Sequence, residues 1–139
     1  MNDVTGNEKD NLKADTRQNL KDLSKALLRL HKTLLEGVKA EYEAENGAIP
    51  NANVYLQLVL DDVHFAWLRK MSSLIALTDE AVSIRRPASE TDAQALLNEA
   101  KIILNFGDAD EDFNDKFHHA LDKNPDAVLV YNDTLNLLK

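Results

Sequence analysis

The segment that decides the fold is Leu20–Tyr42, LKDLSKALLRLHKTLLEGVKAEY. At about 100° per residue, Leu20, Leu23, Leu27, Leu30, Leu34, Val38 and Tyr42 share one face, and Leu28 and Leu35 widen it. A stripe of that period predicts a long amphipathic helix from about Asp10–Thr16 to about Glu45. Outward from it, the chain is punctuated by Gly47 and Pro50, by Pro87, by Gly107 and by Pro125, with periodic segments between.

The segment from Asn53 to Ile84 reads as a second long helix. Leu56, Val59, Leu60, Val63, Trp67, Met71, Leu74, Ile75, Thr78 and Val82 lie on one side of it, and Leu58 and Phe65 stand on the opposite side. Ser89 can cap a third helix whose first turn holds Glu90 and Asp92 and whose stripe is Leu96, Leu97, Ala100, Ile103 and Leu104, closed by Gly107. Asp108 and Glu111 have capping-box spacing before a fourth helix carrying Phe113, Phe117, Ala120 and Leu121. Asn124 as cap and Pro125 at the first helical position open a fifth, with Val128, Tyr131, Leu135 and Leu138 on its stripe.

Composition agrees with an all-α protein. The 139 residues include 22 Leu and 16 Ala but only 4 Gly and 3 Pro, a helix-forming mixture. The expected architecture is an up-down bundle of two long helices and two to three shorter ones, the last covering an open seam. Residues 10–139 are expected to form a single domain, and residues 1–9, polar with one Val, a disordered tail.

Charge and cysteine usage exclude several functions. Sixteen basic against 24 acidic residues give −8, so neither nucleic acid nor an anionic membrane surface is an expected partner. The acidity is C-terminal, since residues 71–139 hold 6 basic and 13 acidic groups. With no Cys there are no disulfides, thiolate metal sites or cysteine nucleophile. The polar start MNDVTGNEKDN lacks a secretory leader, and no apolar run approaches the roughly twenty residues of a membrane span, so a soluble cytoplasmic protein is expected.

The stretches Leu27–Tyr42 (LLRLHKTLLEGVKAEY) and Leu56–Glu80 (LQLVLDDVHFAWLRKMSSLIALTDE) resemble a family of small helical bacterial proteins with no assigned function. That resemblance implies a bacterial cytoplasmic setting and supplies no catalytic residue.

Residues able to carry chemistry are few. Di-metal bundles use Glu-x-x-His pairs, and the nearest spacings are Asp61-x-x-His64 and Asp115-x-x-His118. The i,i+3 interval puts each pair on one helix face, but Asp is a methylene shorter than Glu and no second Glu pair faces inward. His31 falls near the middle of the first helix's apolar face, where Ser24, Tyr42 or a carboxylate should satisfy it. A transition-metal or small-ligand bundle using His31, Asp61, His64, Asp115 and His118 is thus the alternative reading. Asp108, Asp110, Asp112 and Asn114 alternate like a calcium loop, but Phe113 replaces the turn Gly and His119 the closing Glu. No nucleophile elbow, phosphate loop or dinucleotide fingerprint is present, and Arg85 and Arg86 fit dipole compensation at a helix end.

Trp67 reads as a core anchor. Leu58 and Phe65, with Arg69 beside them, form a candidate interface, covered either by the fifth helix or by a second copy in a homodimer. The leading expectation is a non-enzymatic protein, without a cofactor, that binds another protein or itself.

Overall fold

Leu20, Leu23, Leu27, Leu30, Leu34 and Val38 are all buried, as their spacing predicts. They form the core face of α1 (Ala14–Asn46), a single helix of 33 residues. The computed structural model describes residues 10–139, so the expected disordered tail over residues 1–9 lies outside the described residues. After α1 come α2 (Ala52–Asp61), α3 (Val63–Ala66), α4 (Arg69–Ala81), α5 (Glu90–Leu104), α6 (Glu111–Lys123) and α7 (Pro125–Asn136). These seven helices and no strand are found among the described residues. The shorter helices surround the long one, for α1 packs against α3, α4, α5, α6 and α7.

The expected second long helix is three helices. Asp62 leaves the helical region (φ −82°, ψ 143°), closes α2 and caps α3 by accepting the His64 N–H at 2.8 Å. C-terminal to that break the predicted stripe holds, with Trp67, Met71, Leu74, Ile75 and Thr78 buried and Leu68 added. N-terminal to it the inward face is shifted: Leu56 and Leu60 are 55% and 52% exposed while Val59 still packs on the core, and just past the break Val63 is 66% exposed. Leu58 is instead half-buried against the core, and Phe65 is 1% exposed.

The caps at Ser89 and Asn124 form as expected, accepting the N–H groups of Asp92 and Ala127 at 3.1 and 3.3 Å. At α6 the cap is Asp110, which accepts from Asp112 and Phe113, while Asp108 accepts the Asp110 N–H and pairs with Lys70 at 2.8 Å. Gly107 follows the end of α5 as expected, and the left-handed residue there is Phe106 (φ 58°). Gly107 is needed for close approach, since a Cβ there would stand 3.2 Å from the Ile102 carbonyl oxygen. Phe106 offsets its strained backbone by stacking its ring against Phe117, His118 and Tyr131.

Two details of the expected faces are corrected. Leu28 does not widen the core face of α1, being 58% exposed. In α7 the buried residues are Ala127 and Thr134, with Val128 at the surface. A small second core of Leu20, Ala81 and Ala93 closes the far end. There α1 and α5 cap each other: the Lys13 N–H and Thr16 hydroxyl donate to the Glu90 carboxylate at 2.9 and 2.7 Å, and the N–H groups of Glu90 and Thr91 donate to Asp10 at 2.8 and 2.9 Å.

Candidate functional site

Two regions of the surface are candidates for a binding role, and both meet at residues 62–67. The first is the outward face of α2. Its ten residues, ANVYLQLVLD, carry one charge, Asp61, and none of them is buried. Tyr55, Leu58 and Val59 lean on the core, leaving Leu56, Leu60 and, past the break, Val63 turned to solvent. The Arg69 guanidinium donates to the Leu60 carbonyl and so ties the end of α2 to the start of α4.

The second region is a groove of about 760 Å³ between α1, α3 and α6. Small residues make it possible: Gly37, Ala40 and Ala44 keep α1 low along one wall. At Gly37 the Asn124 side chain approaches α1 closely and donates to the Thr33 carbonyl at 3.2 Å, which closes that end. Buried Val38 and Trp67, with half-buried Ala120, also line it. On the α6 side Lys116, His119 and Lys123 stand at i, i+3 and i+7, on one face of the helix. Lys116 pairs with Asp112 at 3.1 Å and His119 with Glu41 of α1 at 3.1 Å, whereas Lys123 has no carboxylate within 4 Å among the described residues.

His64 lines the other end. Its Nδ1 lies 2.7 Å from an Asp62 carboxylate oxygen, its Nε2 3.3 Å from Glu45, and its ring stands edge-on to Tyr42 at 5.3 Å. The hydrogen bond to Asp62, with that to Glu45, raises the imidazole pKa above its ordinary value, while the His64 backbone N–H and then its ring lower that of Asp62. Trp67 sits against Phe113 and Phe117 at 6.0 and 6.4 Å, and Phe65, two residues earlier, against Tyr42 and Tyr55 at 5.9 and 6.1 Å. Phe65 and Trp67 are therefore buried on different sides of this short segment. Phe65 faces α1 and α2, so neither α7 nor a second copy covers it, and Phe65 is not part of an exposed interface.

The five residues considered for metal are dispersed. Asp61 is exposed beyond the Asp62 break from His64, Asp115 is exposed, and His118 pairs with Asp122 at 3.2 Å beside the Phe106 ring. His31 is half-buried, and burial lowers its pKa. Its expected partner Ser24 bonds Asp79 instead. Among the described residues no group of three or more His, Asp or Glu side chains comes together to hold a metal ion, and no helix is long and apolar enough to cross a membrane. Glu41, Lys116, His119 and Lys123 were not legible as a set, because they come from elements far apart in sequence. The Gly37, Ala40, Ala44 spacing was the visible signal, since small residues at i, i+3 and i+7 leave a hollow along a helix.

No protein-family model, curated protein or solved structure matches the chain, so its functional reading rests on these residues.

Proposed function

We propose that the chain is a non-enzymatic, helical up-down bundle protein that works by association, and that its partner is a second copy of itself. The observation that carries this reading is the outward face of α2, where Leu56, Leu60 and Val63 are each more than half exposed. Large apolar side chains gathered on one exposed face mark interaction sites more often than single ones scattered over the exterior do. Charge favours a second copy: a chain of −8 repels itself at most approaches, but α2 has one charged residue in ten. Two such faces meeting about a two-fold axis bury an apolar centre inside a polar rim without bringing like charges together. The reading needs no cofactor, nucleic acid or membrane, and it fits the cytoplasmic bacterial setting that the resemblance of Leu27–Tyr42 and Leu56–Glu80 implies.

Light scattering coupled to gel filtration tests it. At low micromolar concentration the wild type should run at twice 15.6 kDa, and Leu56→Asp/Leu60→Asp should run as a monomer with unchanged helicity. A wild type that stays monomeric up to about a hundredfold higher concentration, beyond about 2.7 kcal/mol of mass-action help, overturns the proposal.

A further inference from the structure

The groove between α1, α3 and α6 carries both signs of charge on opposed walls, with its cations gathered on α6. Of the 6 basic residues in the acidic half spanning 71–139, Lys116 and Lys123 line this one groove, and His119 stands between them. The opposite wall contributes Glu36 and Glu41, and Glu41 is held by His119 across the opening. Lys116 is partnered by Asp112, so Lys123 is the cation left without a carboxylate among the described residues. Between the walls lie Val38, Trp67 and Ala120, which offer apolar contact and one aromatic face. At about 760 Å³ the space lies within the roughly 300–1,000 Å³ usual for small-ligand pockets, and an apolar lining with a few fixed polar groups is their usual chemistry.

We propose that this groove binds a small amphiphilic monoanion, an apolar body ending in a carboxylate, with the body over Trp67 and the carboxylate against Lys123 and His119. The unpaired Lys123 beside His119 favours an anionic head. On the α6 wall a cationic head would meet Lys116 and Lys123 and could turn only to Glu36 opposite, a neutral head would leave Lys123 without an acceptor, and a carboxylate supplies the acceptor that Lys123 lacks. Glu41 competes with that carboxylate for His119. Removing the Glu41 charge therefore strengthens binding, while removing the Lys123 charge weakens it. The association face shares Val63 with this lining, but neither Leu56 nor Leu60 belongs to it, so Leu56→Asp/Leu60→Asp tests association without altering the groove.

Isothermal titration calorimetry of the full chain near pH 7 decides the matter, with laurate, dodecanol and dodecyltrimethylammonium as probes, each below its micelle concentration. Laurate is expected to bind about tenfold or more tighter than the other two, the worth of one charge-assisted hydrogen bond. Lys123→Gln should weaken laurate by a similar factor and Glu41→Gln should tighten it. Ala40→Trp, at an exposed position, should fill the groove and abolish binding, with circular dichroism unchanged. Lys123 also sits in the last turn of α6, where a cation complements the helix dipole. If Lys123→Gln lowers the melting temperature but leaves laurate affinity intact, the lysine is only dipole compensation and the proposal fails. It fails equally if dodecanol binds as well as laurate, if laurate does not bind, or if Lys123 is required for binding phosphatidylglycerol vesicles and not free laurate.

Discussion

Phe65 and Trp67 are two residues apart and serve opposite sides of one short segment. The Phe65 ring closes the aromatic group of Tyr42 and Tyr55, and the Trp67 ring meets Phe113 and Phe117. Both are buried, so Trp67→Ala and Phe65→Ala should each destabilise by about 3–5 kcal/mol, the cost of deleting a large core aromatic. Chemical denaturation measures it, and a loss below about 1 kcal/mol at either position, the range of surface changes, would show that its ring is not packed as described. His64 and His31 give a second check at this scale. By proton NMR, His64 should titrate above 6.5, held up first by Asp62, and Asp62→Asn should bring it down. His31 should titrate below 6.5 through burial. A His64 midpoint unmoved by Asp62→Asn would remove the Asp62 hydrogen bond from the description.

Among the elements, those with explicit punctuation were readable. Ser89 opens α5 and Asn124-Pro125 opens α7, because a capping side chain and a fixed proline φ act within a few residues. The core face of α1 was readable because seven apolar residues repeat without interruption. The Asp62 break was not, since no Gly or Pro marks it and the apolar period of α4 extrapolates smoothly backward through it. The extended backbone at Asp62 then rotates the inward face of α2 onto Tyr55, Leu58 and Val59, which is why Leu56 and Leu60 are outside. A local signal was present in the paired Asp61-Asp62 before Val63-His64, the residue type that caps a following turn. Asp62→Ala removes the acceptor for the His64 N–H and should cost roughly 0.5–2 kcal/mol, as lost caps do. The groove was illegible for a different reason: Glu41 and His119, which face each other at 3.1 Å, are joined only by the packing of α6 on α1.

Across the whole molecule, ionisation should set a distinctive dependence of stability on pH. Glu90, which joins the starts of α1 and α5, has its pKa lowered to about 2 by hydrogen bonds from Gln94, the Lys13 N–H and Thr16. Asp108 is lowered by Lys70, and Asp62 by the His64 N–H. Each of these carboxylates contributes stability that is complete above its unfolded pKa, about 4, and is lost as pH falls through the lowered folded value. The histidines behave differently. His64, raised, contributes below about 6.5 and loses that contribution as pH rises through its folded value, whereas His31, lowered, costs stability as pH falls below about 6.5. Between about pH 7 and about pH 5 the two oppose each other, while below about pH 4.5 the three carboxylates act in one direction. The melting temperature should therefore fall steadily over the second interval, while over the first the two histidine contributions remain opposed. Glu90→Gln isolates the largest of these shifts. Its melting temperature should lie below that of the wild type near pH 7, its decline between about 4.5 and about 2 should be shallower, and the two curves should converge near pH 2, where Glu90 is half protonated in the fold. Parallel curves over that interval would mean that Glu90 titrates alike folded and unfolded, and that the mutual capping of α1 and α5 does not depend on its charge.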